Sequence, residues 1–198
     1  MTSLAKRTCG DCTVCCTELK VDTKEFRKKA GVPCGHLTPK GCGIYETRFP
    51  ICREFLCGWR LCADLKDDWR PDRSGVVIVR LAPENVPQAY RAIGYGMQLD
   101  ITGGEKAITR PGFAEYVMAQ VRRGVAVQMS AASPATLLND HLGPGLRDMA
   151  DVRATLLHLY GLLEAARWKK GVGMLLPLYR LKLAQQKAQV AIKLNDIK

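Results

Sequence analysis

Apolar residues are sparse and without period over the first third of the chain, then settle into strand-like and helix-like patterns. Residues 75–81, Gly-Val-Val-Ile-Val-Arg-Leu, form a β-branched run between Pro71 and Pro83 and predict a buried strand. Residues 90–99 are ambiguous, because Gly94 and Gly96 argue against a helix. Over 113–123, Phe113, Val117 and Val121 share one helical face, and Gly124 ends that helix ahead of a strand at 125–129. Past a Gly143-Pro144-Gly145 turn, Val152, Thr155, Leu156, Leu159, Leu162, Leu163 and Ala166 recur at helical spacing, predicting an amphipathic helix that closes near Gly171. A second helix after Pro177 carries the weaker stripe Leu183, Val190, Leu194 and Ile197, which would pack on the body by default, or else pair with another subunit or lie on a membrane.

The front is different. Between residues 9 and 69 only 20–29 reads as a short helix, and no apolar run is long enough to build a conventional core. The predicted class is therefore α+β: a cysteine-rich, metal-organised N-terminal region over 1–70, then a body over 71–198 with a small sheet, helices and a C-terminal helical pair. With 198 residues, no internal repeat and no low-complexity linker, the two parts are expected to form one compact unit. No apolar run approaches the roughly 18 residues of a membrane span.

Nine cysteines lie between Cys9 and Cys62 and none follow. Disulfides, metal and redox thiols are the three ordinary explanations. Disulfides need an oxidising compartment, yet Met1-Thr2-Ser3-Leu4-Ala5-Lys6-Arg7 runs into the cysteines without an apolar leader, so a cytoplasmic location is expected. An odd count would also strand one thiol, whereas unpaired thiolates at two-residue spacing suit a soft metal ion. Structural zinc contributes about 10–16 kcal/mol to folding, as much as the roughly 5–15 kcal/mol net stability of a whole domain, so metal could replace the missing core.

Zinc takes four ligands tetrahedrally, and a Cys-x2-Cys turn brings two sulfurs to one ion. Cys9 to Cys12 and Cys12 to Cys15 are overlapping turns of this kind, with Cys16 adjacent. Neighbouring side chains point apart in extended backbone, so Cys15 and Cys16 are expected to serve different ions, giving two sites or one polynuclear cluster. The spacing is not that of bacterial ferredoxins, because the fourth cysteine abuts the third, and thiolates alone do not separate zinc from iron or an iron–sulfur cluster.

The run Cys9 to Cys16 reads Cys-x2-Cys-x2-Cys-Cys, and Pro33-Cys34, Cys42-Gly43-Ile44-Tyr45-Glu46, Arg48 and Cys52-Arg53 follow in order. In these elements the first third of the chain resembles the CxxCxxCC cysteine-cluster family, also called YkgJ-like, described as zinc- or iron-chelating proteins. The resemblance implies Cys9, Cys12, Cys15, Cys16, Cys34, Cys42, Cys52 and Cys57 as the chelating set. Two departures stand out: the family's Arg-Pro-x-x-Cys reads Arg48-Phe49-Pro50-Ile51-Cys52, and Cys62 falls outside the pattern as a spare or buried thiol.

His36 reads as a structural or hydrogen-bonding group, with ligation beside Cys34 as the alternative. Tyr45 and Glu46 read as a packed ring and a surface charge that could instead line an open metal position. Arg48 and Arg53 either orient thiolates and carbonyls or form surface pairs. His141 and His158 lie far from the cysteines in sequence, and no catalytic triad, phosphate loop or dinucleotide fingerprint is legible.

The formal charge is +11, which eight thiolates holding two zinc ions would lower to about +7. Arg153, Arg167, Lys169, Lys170, Arg180, Lys182, Lys187, Lys193 and Lys198 concentrate the excess in the C-terminal part. That fits a solvated helix face or, alternatively, a surface for an anionic partner such as nucleic acid, an acidic protein or an anionic membrane. Three function classes follow: a metal-chelating protein, an iron or iron–sulfur enzyme with redox or modification chemistry, and a zinc-organised binding module. The third lacks finger spacing and aromatic residues among its basic ones.

Overall fold

The computed structural model describes residues 7–131, 135–143 and 148–171, the last four as backbone only. Its body is a four-stranded sheet, β5 (Val76–Arg80), β6 (Gly96–Ile101), β7 (Ala126–Ser130) and β8 (Ala135–Leu137), adjacent in that order. The β5–β6 and β7–β8 pairs are antiparallel and β6–β7 is parallel. The parallel pair needs a crossover, supplied by α5 (Glu105–Thr109) and α6 (Phe113–Arg122). The long helix α7 (Met149–Gly171) packs on α5, α6 and β7. Mixed helix and sheet of this kind is the α+β class expected from the patterning.

Alternation along the strands gives the sheet two unlike faces. Register places Val76 beside Ile101, Ile78 beside Leu99, and Leu99 beside Met129, and these residues join the main core with Phe113 and Val117 of α6 and Val152, Leu156, Leu159 and Leu163 of α7. The other face carries the rows Val77–Asp100–Ser130 and Val79–Gln98–Gln128, polar on the inner strands. At the end of the β5–β6 pair, Gly75 (φ 66°) accepts the N–H groups of Thr102 and Gly103 at 2.8 and 2.9 Å. A Cβ on Gly75 would stand 2.6 Å from the Gly103 Cα, so both positions need glycine.

The front of the chain holds only short elements: α1 (Val14–Glu18), β1 (Val21–Asp22) paired with β2 (Arg27–Lys28), β3 (Leu37–Thr38) paired with β4 (Gly41–Cys42), α2 (Pro50–Glu54), α3 (Gly58–Leu61) and α4 (Pro71–Ser74). The helix expected over 20–29 is instead the β1–β2 hairpin. Thr23 closes its turn, donating its N–H to the Phe26 carbonyl and accepting the Phe26 N–H on Oγ1, both at 3.0 Å. Such hydroxyl bonds compete with helix in a segment that has no apolar stripe to hold a helix down.

The end of this region is part of the body. Trp59, Leu65 and Trp69 are buried in the main core, where Trp69 stacks with Phe113 and lies tilted against Tyr116. A Cβ on Gly58 would meet the Ile78 Cβ at 2.5 Å, so glycine is what lets α3 lie against β5. Residues 90–99 resolve into a 3-10 helix, Gln88–Ile93, and then β6, with Gly94 at φ 80° between them. Of the predicted C-terminal helical pair, the first helix is α7. The second, with Leu183, Val190, Leu194 and Ile197, lies outside the described residues. Among the described residues no helix is long and apolar enough to cross a membrane.

Candidate metal centre

The first turn is built by the Cys12 N–H on the Cys9 carbonyl at 3.0 Å, with Gly10 at φ 57° between them. The chain then enters α1, where Cys16 and Thr17 bond back to the Thr13 carbonyl. Here the geometry departs from the sequence expectation. Cys15 and Cys16 are helical, not extended, and their side chains hydrogen-bond to each other. That bond is the main cause of opposite shifts: Cys15 is pushed far up and holds its proton, while Cys16 falls to about 6. Lys28 and Arg48 add to the lowering at Cys16.

The other four candidates reach the same place by short local devices. The Cys34 N–H donates to the Cys16 carbonyl at 2.9 Å, anchoring Cys34 beside α1. The β3–β4 pairing sets Cys42 opposite Leu37, so the chain doubles back towards Cys34, whose sulfur accepts the His36 N–H at 3.4 Å. Cys52 lies on α2, whose Cys52 and Arg53 N–H groups bond to the Phe49 carbonyl. Cys57 sits at the N-cap of α3.

All eight cysteines of the expected set line one cavity of about 860 Å³. Electrostatic influence divides them. Cys15 feels Cys9 and Cys12, and Cys57 feels Cys9. Cys52 is raised by burial first and then by Cys16, Cys34 and Cys42. The two groupings meet at Cys15, which Cys16 influences more than Cys9 or Cys12 does. Cys62 is absent from the cavity wall and packs against the main core, its thiol raised chiefly by burial.

Cations and amide groups share this wall with the thiols. Lys28 is 8% exposed, and its ammonium donates to the carbonyls of Thr17, Lys29 and Val32 at 2.8, 3.2 and 2.8 Å. Arg48 donates to the Tyr45 carbonyl at 2.7 Å, lies 3.7 Å over the Tyr45 ring, and acts on both Cys16 and Cys52. Arg60 reaches the Cys9 sulfur at 3.9 Å and the Arg7 carbonyl at 2.8 Å. Burial raises Cys12, while backbone N–H groups of Val14 and Asp72 partly offset it, and the thiol bonds to the Asp72 carboxylate. Asp72 in turn is gripped by Arg70 at 2.7 and 2.6 Å.

His36 lines the same cavity, and its ring lies 5.8 Å from Phe49 and 6.3 Å from Phe26, whose phenyl rings stack at 4.6 Å. Tyr45 is on the cavity wall, and Arg53 is exposed on α2. His141 is near Thr136, and His158 is exposed on α7. Lys28, Arg60 and Asp72 were not singled out from sequence. Lys28 resembles its solvated neighbours Lys20, Lys24 and Lys29, and only the hairpin distinguishes it.

In donor type the cavity wall, with its eight sulfurs, is of the kind that thiophilic ions take. As the side chains stand, no three His, Cys, Asp or Glu among the described residues converge closely enough to hold an ion. Binding would therefore require the sulfurs to draw inward. No family model matches the chain, and no curated protein or solved structure matches it either.

Proposed function

We propose that this chain is a metal-binding protein that chelates zinc or iron through Cys9, Cys12, Cys15, Cys16, Cys34, Cys42, Cys52 and Cys57. The observation that carries the reading is that these eight line one cavity while Cys62 does not. The resemblance of their order to the CxxCxxCC family supports it independently. Four thiolates per site suit a structural zinc, and iron or an iron–sulfur cluster in the same place would add electron transfer. The protein's own contribution is charge balance and anchorage: Lys28, Arg48 and Arg60 offset thiolate charge, and Lys28 also ties α1, which carries Cys16, to the segment leading to Cys34.

A second reading, an iron or iron–sulfur enzyme, is favoured by the size of the cavity and by its continuation past the thiols to the polar face of the sheet. Anaerobic purification, metal analysis and an absorption spectrum test both. Two ions per chain, or one polynuclear cluster, is expected; visible charge-transfer bands select iron–sulfur, and a colourless zinc protein selects the structural site. A saturated chain with one mononuclear ion, or with none, overturns the proposal.

A further inference from the structure

On the polar face of the sheet, Asp100 of β6 is a half-buried carboxyl that lines the same cavity as the cysteines. Gln98 Nε2 donates to its Oδ1 at 2.7 Å, and the Ser130 side chain on β7 bonds to it as well. Both partners are neutral. No cation is paired with Asp100 among the described residues; Glu164 and Arg167, which α7 contributes to the cavity wall, pair with each other at 3.5 Å. A carboxylate removed from water without a counter-ion is costly, and one facing a large cavity can obtain the counter-ion from a ligand.

We propose that the Asp100–Gln98–Ser130 wall is a binding subsite for a primary alkylammonium group. The donor count fits: with its amide N–H turned to Asp100, Gln98 keeps its carbonyl oxygen free, and the Ser130 hydroxyl and the Asp100 carboxylate supply two more acceptors for the three N–H bonds of an ammonium. Hydrocarbon is provided for too. Val77 pairs in register with Asp100 and Val79 with Gln98, and both line the cavity, so an alkyl stem can lie along β5 while its charged end reaches β6. Burial raises the Asp100 carboxyl, with the Gln98 and Ser130 bonds opposing, which is the state an incoming cation would reverse. None of the three residues is a cysteine or a sequence neighbour of one.

Calorimetric titration of the full chain with n-pentylamine and with n-pentanol, a neutral isostere, tests it at neutral pH. The amine should bind about tenfold tighter or more, the value of a charge-assisted bond over a neutral one. Asp100→Asn should abolish that preference, Ser130→Ala should reduce it, and Asp140→Asn, an exposed carboxylate outside the cavity, should leave it intact. Thermal unfolding of each variant verifies the fold. Equal affinity for amine and alcohol, or an amine preference that survives Asp100→Asn because the cation sits at the thiolates, overturns the subsite. Metal content measured on the same Asp100→Asn sample should be unchanged, so failure of the subsite and failure of the metal reading are separate results.

Discussion

Lys28 does the work that an apolar side chain does elsewhere. Its ammonium gathers carbonyls from α1, from the residue after β2 and from Val32, closing a loop that has few hydrophobic contacts. Lys28→Met removes the donor while leaving the stem, and should cost roughly 1–3 kcal/mol in urea unfolding of the loaded protein, because three partly buried acceptors lose a charged partner. Lys28→Arg should not rescue it, since a planar fork does not match three converging carbonyls. A milder contrast separates the cysteines. Cys12→Ser loses a sulfur on the cavity wall and should reduce bound metal per chain, whereas Cys62→Ser changes a thiol packed on the main core and should leave the metal content intact. Metal analysis of both purified variants decides it; equal loss would mean that the ligand set is wrongly drawn.

At the scale of elements, legibility followed hydrophobic period. The run from Val76 to Val79, the Phe113 and Val117 face of α6 and the Leu156, Leu159 and Leu163 stripe of α7 are all where apolar spacing puts them, because burial dominates those segments. Residues 20–29 have no such stripe, so local bonds at Thr23 and Lys28 decide the outcome, and these have no periodic signature. The eight cysteines that share the cavity wall are those the family resemblance picks out, but the Cys15–Cys16 contact was not readable, since it requires knowing that α1 begins at Val14. The Asp100 wall was equally hidden: Gln98, Asp100 and Ser130 share a face only once β6 and β7 are paired in parallel.

That pairing has a pH consequence for the sheet. Burial raises the Asp100 carboxyl, so the folded protein keeps this proton to higher pH than the unfolded chain does. The associated stability is complete in acid, below the unfolded-state value, and is lost as pH rises through the raised folded-state value. Asp100→Asn mimics the protonated form. It should therefore raise the unfolding temperature at neutral pH and change it little in acid, as thermal melts across that range will measure.

For the whole molecule, metal and hydrophobic burial should hold different stretches. Trp59, Leu65 and Trp69 belong to the main core, so stripping metal should not release the chain beyond about α3. Hydrogen exchange on loaded and chelator-treated protein should show protection collapsing over residues 9–54 while β5, β6, β7 and the middle of α7 keep theirs. Retained protection over 9–54 after stripping would mean that Lys28 and the Phe26–Phe49 stack suffice to hold the front.

The Arg7 side chain spans a long stretch of sequence. Its guanidinium donates to the carbonyls of Trp59, Cys62, Ala63 and Leu65 and lies 5.0 Å over the Trp59 ring, the first of these bonds joining residues 52 apart. During synthesis at about 5–20 residues per second, Arg7 leaves the ribosome roughly 3–10 s before its acceptors do. Cys9, Cys12, Cys15 and Cys16 wait with it, because Cys52 and Cys57, on the same cavity wall, are made in the same late stretch. The N-terminal thiols therefore pass that interval unclamped, open to whichever ion or oxidant the compartment offers.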